Sequence, residues 1–171
     1  VDTSVSSDVT DLITKKILTP SFETAEDRGS MATRFAADAV DKSVNIKTGT
    51  VLVVAIIDSD EASAKMTRIA FEQAGATCVT FATGKDFLSF YKDGKFDLII
   101  LDILLADKTG LALLQALQKR PKTPPIIIYT ATTQREVIVK ALSSGAKTYL
   151  IKPQKSSTLV QKSLAVLHGQ K

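Results

Sequence analysis

Apolar residues beyond residue 49 fall into five short, unbroken runs rich in β-branched side chains. The runs cover residues 51–57, 78–82, 98–101, 126–129 and 149–151. Strands that are buried on both faces of a parallel sheet have continuous apolar sequences, whereas half-exposed strands alternate between apolar and polar residues. The pattern therefore predicts five strands inside a sheet.

The stretches between these runs have the spacing of amphipathic helices. Leu111, Leu114 and Leu117 lie along one such stretch, and Val160 and Leu164 lie along the last. Five strands that alternate with five helices favour a parallel sheet covered by helices on both faces. The sequence thus predicts one α/β domain over residues 50–171.

Residues 1–49 have a different pattern, with no strand-like run. Residues 9–18 are predicted to form a short helix that ends before the following proline. Apolar residues at Phe35, Val40 and Val44 are close to helical spacing. We expect a partly helical extension that acts as a linker, as the tail of an upstream domain or as a helix that pairs two chains in a homodimer. The first residue is valine, so the chain is expected to be a piece of a longer protein or a domain with its own extension.

Composition excludes several classes of protein. Hydrophobic residues make up 44% and charged residues 23% of the chain, as in soluble globular proteins. No apolar run approaches the roughly 20 residues that span a bilayer, so no membrane segment is expected. Cys78 is the single cysteine, which rules out an internal disulfide and favours the reducing cytoplasm. Together with His168, the single histidine, it supplies too few ligands for a zinc site.

The net charge of +4 is unevenly distributed. Residues 1–49 carry 8 acidic and 6 basic side chains, whereas residues 50–171 carry 16 basic and 10 acidic ones. The basic residues of the second part are scattered along the sequence, which indicates a solvated surface. No direct nucleic-acid site is expected.

Reactive side chains follow four of the five predicted strands. In parallel α/β sheets, ligands bind beyond the carboxyl ends of the strands, so these side chains are expected to meet at one edge. They are Asp58, Ser59 and Asp60 after the first strand, Asp102 after the third, Thr130 after the fourth and Lys152 after the fifth.

This set of side chains fits phosphoryl chemistry. Carboxylates are preferred ligands of Mg²⁺, which keeps several waters and bridges to phosphate oxygens. A carboxylate can also act as a covalent nucleophile and form an acyl phosphate. An ammonium group such as that of Lys152 would neutralise the phosphoryl charge, and a hydroxyl such as that of Thr130 would hydrogen-bond the attached group.

Four segments, in order, resemble the receiver domain of two-component response regulators. They are residues 56–60, residues 98–102 with Gly110 eight positions on, residues 126–131 and residues 145–153. The resemblance covers about residues 50–168. It implies the flavodoxin-like, doubly wound receiver fold with a five-stranded parallel sheet.

The resemblance also implies roles for individual residues. Asp102 would accept the phosphoryl group. Asp58, Asp102 itself and the backbone carbonyl of Leu104 would form the Mg²⁺ pocket. Lys152 would pair with the phosphoryl group, and its bond to Pro153 would be cis.

Two further positions are implied to respond to phosphorylation. Thr130 and Tyr149 would form a coupled switch that reshapes the face around the fourth helix and the fifth predicted strand. The phosphoryl donor would be a histidine kinase or a histidine phosphotransfer protein. A downstream protein or an upstream domain of the same chain would read the changed face. The domain is expected to accept the group without being a turnover enzyme.

The sequence departs from the family pattern in the acidic pocket. Ser59 stands where the family usually has a second acid, and Asp60 lies one position later, so both remain open as metal ligands. The side chain of Leu104 is apolar at a position where variation is expected to tune dephosphorylation.

Three readings remain open. The domain is a phosphoacceptor, or it is a pseudo-receiver that binds partners without phosphorylation, or it is a flavin-binding flavodoxin-like protein. The last lacks a phosphate-binding loop rich in hydroxyls and glycines after the first strand. Asp58 and Asp60 also have a plainer interpretation as caps of the first helix.

Overall fold

A computed structural model of the chain describes residues 51–107 and 109–169, together with the backbone of Ile17–Leu18. The strands in this part of the chain are β1 (Ile17–Leu18), β2 (Val53–Ile57), β3 (Thr77–Phe81), β4 (Leu98–Leu101), β5 (Ile126–Thr130) and β6 (Thr148–Ile151). The helices are α1 (Glu61–Gln73), α2 (Gly84–Phe90), α3 (Gly110–Gln118), α4 (Arg135–Ser143) and α5 (Ser156–His168).

The strands form one parallel sheet in the order β1-β6-β5-β4-β2-β3. The five strands β2 to β6 match the five predicted runs to within two residues at each end. Because β4, β5 and β6 are buried along their whole length, their continuous apolar sequences are explained by burial on both faces. The predicted flavodoxin-like α/β receiver fold is confirmed.

Two hydrophobic clusters lie on opposite faces of the sheet. Helices α2, α3 and α4 cover one face, where Phe87, Leu114 and Ala141 pack against inward residues of the strands. Helices α1 and α5 cover the other face, where Phe71 and Leu159 belong to a second cluster. Successive residues of a strand point to opposite faces, so each of the strands β2 to β6 contributes to both clusters.

The extension departs from its prediction at the point where the structure describes it. Residues 9–18 were predicted to be helical, but Ile17–Leu18 form β1, which pairs with β6. The helix prediction is therefore wrong at these two residues. A two-residue segment can become a strand because an existing sheet edge supplies its hydrogen-bond partners, which a local helical pattern does not reveal. The dimerising helix proposed around Phe35, Val40 and Val44 lies outside the described residues.

Two single features complete the description of the fold. Cys78 is half-buried, and burial raises the pKa of its thiol to about 12, so the thiol is not ionised at neutral pH. In the part of the chain that the structure describes, no helix is both long and apolar enough to cross a membrane.

Candidate functional site

Three charged side chains meet beyond the carboxyl ends of β2, β4 and β6. Asp58 follows β2, Asp102 follows β4, and Lys152 follows β6. The Nζ atom of Lys152 lies 2.7 Å from an Oδ2 atom of each aspartate. Both aspartates are buried, so the ammonium group compensates two carboxylates that are largely removed from water. The strand ends thus bring together three of the six residues that the sequence placed at this edge.

The pKa of Lys152 is raised by its two partners. Burial of the ammonium group acts to lower the pKa because it disfavours the charged form. The negative charges and hydrogen bonds of Asp102 and Asp58 outweigh that effect, and the pKa lies above its ordinary value. Lys152 is therefore a fixed positive charge at any physiological pH.

Asp58 is held by the start of α1 as well as by Lys152. Its Oδ1 accepts a hydrogen bond from the backbone N–H of Asp60 at 2.9 Å, and its Oδ2 accepts one from the hydroxyl of Ser63 at 2.6 Å. Ser63 was not identified from the sequence. Its position in the sequence could have indicated this contact. Ser63 comes five residues after Asp58 and lies in the first turn of the helix that follows the strand. Ser63 thus fixes the orientation of the Asp58 carboxylate.

Asp102 is held by the loop that follows β4. Its Oδ1 accepts a hydrogen bond from the backbone N–H of Leu104 at 2.8 Å, while its Oδ2 accepts one from Lys152. Leu104 itself is 56% exposed. Gly110 packs against the same loop, since a Cβ atom at this position would lie 2.4 Å from the carbonyl oxygen of Ile103.

Ser59 connects three loops at the same edge. Its hydroxyl donates a hydrogen bond to the carbonyl oxygen of Ala82 at 2.7 Å and accepts one from the N–H of Ala106 at 2.8 Å. The hydroxyl therefore ties the end of β2 to the segment after β3 and to the loop after β4. Its role as a metal ligand stays a prediction, and its observed role is structural.

Asp60 is the N-cap residue of α1. Its Oδ1 accepts a hydrogen bond from the N–H of Ser63 at 2.8 Å, the contact expected of an aspartate at this position. The plainer interpretation made for Asp60 from the sequence thus describes its contact in the structure. Its role as a metal ligand also stays a prediction.

Thr130 and Tyr149 occupy neighbouring strands beside the charged centre. Thr130 is fully buried at the end of β5, and its hydroxyl has no hydrogen-bond partner among the described residues. Tyr149 is fully buried in β6, and its hydroxyl donates to the carbonyl oxygen of Thr132 at 3.0 Å. Burial and the charge of Asp102 raise the pKa of Tyr149, so its hydroxyl stays protonated and remains a donor.

The donor set is compatible with a bound Mg²⁺ ion. No cluster of three or more acidic, histidine or cysteine side chains that could hold a metal occurs within residues 51–107 and 109–169. Magnesium commonly uses one or two carboxylates and fills its remaining positions with water and substrate oxygens. Asp58 and Asp102 supply two such carboxylates, brought close enough to share the ammonium of Lys152. The chemistry of these two residues fits magnesium.

A cavity of about 490 Å³ adjoins the site between α1 and α5. Met66, Leu159 and Pro153 contribute apolar walls, and Tyr129 and Lys152 line its side toward the site. The Nζ of Lys152 lies 5.4 Å from the centre of the Tyr129 ring, and the Tyr129 hydroxyl accepts a hydrogen bond from the N–H of Gln154 at 3.2 Å. The sequence did not single out Tyr129 or Gln154, because each interacts with residues distant from it in the chain.

The peptide bond between Lys152 and Pro153 is cis, as the resemblance predicted. This bond lies at the end of β6, directly after the residue that pairs with both aspartates.

Comparisons with known proteins point to one family. A family model described as the response regulator receiver domain matches residues 54–163. The DNA-binding transcriptional regulator NtrC of Salmonella typhimurium is 34% identical over 101 residues, which cover 59% of this chain and 22% of NtrC. The phosphate regulon transcriptional regulatory protein PhoB of Rhizobium meliloti is 30% identical over 120 residues, which cover 69% of this chain and 53% of PhoB. The chain thus spans between about a fifth and about half of these relatives.

Solved structures agree with the sequence relatives. A CheY-like response regulator receiver domain protein from Methanospirillum hungatei superposes with a TM-score of 0.67 at 28% identity, covering 71% of this chain and 97% of that one. The chemotaxis response regulator CheY4 of Vibrio cholerae gives a TM-score of 0.63 at 26% identity, covering 68% and 99% of the two chains. Asp58, Asp102 and Lys152 meet at the ends of three parallel strands, and the family model matches more than half of the chain. This chain belongs to the response regulator receiver domain family.

Proposed function

We propose that the domain accepts a phosphoryl group on Asp102 from a phosphohistidine of a partner protein. The observation that carries the proposal is the position of Lys152, whose Nζ lies 2.7 Å from Oδ2 of Asp102 and 2.7 Å from Oδ2 of Asp58. Three residues that are far apart in sequence form one compact centre of charge. Such a centre suits a reaction in which a carboxylate must approach a negatively charged phosphoryl group.

The transfer forms one bond and breaks one bond. A carboxylate oxygen of Asp102 attacks phosphorus, and an acyl phosphate forms as the bond between phosphorus and the donor imidazole nitrogen breaks. The electron pair of that bond returns to the imidazole. Asp102 Oδ1 stays oriented by the N–H of Leu104, while Lys152 neutralises charge on the incoming oxygens.

Asp58, Asp102 and the backbone carbonyl of Leu104 are the groups proposed to hold Mg²⁺. When bound, the ion supplies charge neutralisation on the phosphoryl oxygens. The residues of the chain orient the site independently of that ion, because Ser63 and the N–H of Asp60 fix the Asp58 carboxylate.

The switch is proposed to begin at Thr130. Its buried hydroxyl has no partner among the described residues, so it can hydrogen-bond an oxygen of a phosphoryl group on Asp102 without breaking another contact. Movement of Thr130 toward the site would open space beside Tyr149, which lies in the adjacent strand. A partner would then read the changed surface, since a ligand shifts the balance between two conformations by its different affinity for each.

The donor would be a histidine kinase or a histidine phosphotransfer protein. The protein that recognises the changed face would be a downstream protein or an upstream domain of the same chain. In this proposal the domain works in the cytoplasm and acts as a phosphoacceptor rather than a turnover enzyme.

The second candidate function is that of a pseudo-receiver that binds partners without phosphorylation. The observation that favours it is the hydroxyl of Ser59, which is used by Ala82 and Ala106, in place of the second acid of the family pattern. With two carboxylates already paired to Lys152, affinity for Mg²⁺ would be low.

Phosphorylation by a small phosphodonor distinguishes the two functions. The full chain is incubated with acetyl phosphate and Mg²⁺, and the intact mass is measured for wild type, Asp102→Asn and the control Asp86→Asn, an exposed acid on α2. Addition of one phosphoryl group to wild type and Asp86→Asn alone supports Asp102 as the acceptor. A folded wild-type protein that gains no mass at saturating Mg²⁺ would instead support the pseudo-receiver.

A further inference from the structure

The sheet has an unusual outer strand at its β6 side. There, β1 pairs in parallel with β6, with Ile17 opposite Tyr149 and Leu18 opposite Leu150. This strand comes from the N-terminal extension, which precedes the matched domain region by more than 30 residues. Neither the family match, at residues 54–163, nor the predicted five-stranded sheet includes it.

The strands β3 and β6 differ in the exposure of their residues to water. At the far side, β3 carries the exposed residues Thr77 and Thr80, which suit an edge strand in contact with water. In contrast, all four residues of β6 are buried. Without β1, the row of N–H and C=O groups on the outer side of β6 would be unpaired, and such a row is a template for pairing with another strand.

We infer that the outer edge of β6 is an interaction surface for a parallel strand, and that its resident occupant is the segment around Ile17–Leu18 of the same chain. A partner strand, or a second copy of the chain, that uses this edge must first displace the segment. The surface includes the backbone of Tyr149, so the occupant is in direct contact with the strand that carries this residue.

The connection between β1 and β2 is long enough for this arrangement. Residues 19–52 provide 34 residues between the two strands. Four strand spacings separate β1 from β2 across the sheet, or about 19 Å at 4.8 Å each. A parallel crossover needs only a dozen or more residues, and 34 extended residues reach roughly 110 Å. The segment can therefore reach the β6 edge of its own domain.

The sequence of the segment suits a short edge strand. Ile17 and Leu18 are apolar and prone to pair, while Lys15 and Lys16 precede them and Pro20 follows them closely. Proline has no N–H group to extend a ladder, and lysines discourage pairing with further chains. Such a sequence is typical of a short edge strand.

Tethering explains why the chain's own segment is the favoured occupant. A segment tethered by a short linker has an effective concentration on the order of millimolar at its binding site, and the value falls as the linker lengthens. A segment from a second copy, present at micromolar concentration, competes poorly with it. The inference is independent of phosphorylation, because the pairing involves backbone groups away from the carboxylate of Asp102.

Hydrogen exchange resolved by residue tests the inference in the full chain. The variant is Ile17→Pro/Leu18→Pro, which removes both N–H groups of β1, and the matched control is Thr3→Pro/Ser4→Pro in the same extension. In a parallel strand, alternate amides face opposite neighbours, so some amides of β6 face β1 and the intervening ones face β5. We expect the amides that face β1 to exchange about tenfold faster or more in the variant, as local opening predicts. The amides that face β5 and those of β4 should be unchanged, and the control should match wild type.

A peptide in trans separates loss of the occupant from a general change in the domain. A synthetic peptide of residues 13–22, added to the proline variant at about 1 mM, should restore slow exchange at the same amides. It should not alter wild type, where the edge is occupied. Equal exchange of the β6 amides in wild type and the proline variant would overturn the inference. So would faster exchange that spreads to β4 and is not reversed by the peptide.

Discussion

Lys152 Nζ and Asp102 Oδ2 lie 2.7 Å apart although the two residues are 50 positions apart in the chain. The contact exists because β4 and β6 run parallel on either side of β5, so that their carboxyl ends face the same edge of the sheet. Asp58 makes the same contact with the same Nζ atom from the end of β2. One ammonium group thereby joins the ends of three strands.

Replacing Lys152 by methionine should destabilise the domain and change its response to high pH. Two buried carboxylates would lose their partner, which costs about 2–4 kcal/mol of unfolding free energy at neutral pH. Because the folded-state pKa of Lys152 is raised, its contribution is fully present below the unfolded pKa of about 10.4 and is lost as pH rises through the folded value. Urea unfolding of wild type and Lys152→Met from pH 7 to 11.5 should show the difference between them shrinking above roughly pH 10.5. The exposed Lys155→Met serves as the control, and a difference that stays constant over this range would contradict the assigned charge pairing.

Replacing Ser59 by aspartate should raise the affinity for Mg²⁺ by about tenfold or more, because an added carboxylate contributes both a ligand and a charge. The same change removes the donor to the carbonyl oxygen of Ala82, although a carboxylate can still accept from the N–H of Ala106, so the loop ends should loosen at a cost of about 1 kcal/mol. Titration with Mg²⁺ followed by NMR shifts near Asp58 and Asp102 measures the first effect. Ser59→Ala isolates the second, since it loses the hydrogen bonds without adding a charge. If Ser59→Asp bound Mg²⁺ no better than Ser59→Ala, position 59 would not face the metal site.

Replacing Gly110 by alanine should shift the loop that carries Asp102. A Cβ atom would lie 2.4 Å from the carbonyl oxygen of Ile103, which is backbone and cannot rotate away. Overpacking of this kind costs about 1–3 kcal/mol, and the mass gained from acetyl phosphate should fall together with the free energy of unfolding. Gly169→Ala is the matched control, because its Cβ would meet nothing closer than 3.4 Å. Equal stability of the two variants would show that the loop adjusts at no cost.

Replacing Tyr149 by phenylalanine should cost less than replacing Tyr129. Tyr149→Phe removes a hydrogen bond to the half-buried Thr132 and is expected to cost about 1 kcal/mol. Tyr129→Phe removes the acceptor of the N–H of Gln154, a residue with 0% exposure, and is expected to cost about 2 kcal/mol. Thermal and urea unfolding of both variants would measure the order. A larger loss of unfolding free energy in Tyr149→Phe than in Tyr129→Phe would mean that the hydrogen bond to Thr132 stabilises the domain more than the hydrogen bond from Gln154.

The sequence was most informative where local pattern and burial agree. The runs at 98–101 and 126–129 are apolar throughout because β4 and β5 are covered on both faces, so their positions could be read directly. Asp102 and Lys152 could be assigned to one edge for the same reason, since parallel strands present their carboxyl ends together. The cis bond before Pro153 followed from the family resemblance.

The contacts of individual side chains could not be read in this way. Ser59 was a candidate metal ligand, but in the structure its hydroxyl meets Ala82, 23 residues away, and Ala106, 47 residues away. Ser63 was overlooked because its contact with Asp58 depends on the direction in which α1 leaves β2. Ile17–Leu18 became a strand only because the edge of β6 was available to it.

The sequence by itself determined the alternation of strands and helices, the fold class and the identity of the acidic and basic residues at the strand ends, since these depend on burial and chain order. The tertiary structure decided which hydroxyls hold the carboxylates, which acid caps a helix and which segment covers the β6 edge. These contacts join residues that are distant in sequence, and their geometry is fixed only when the packed sheet and helices place them within hydrogen-bonding distance.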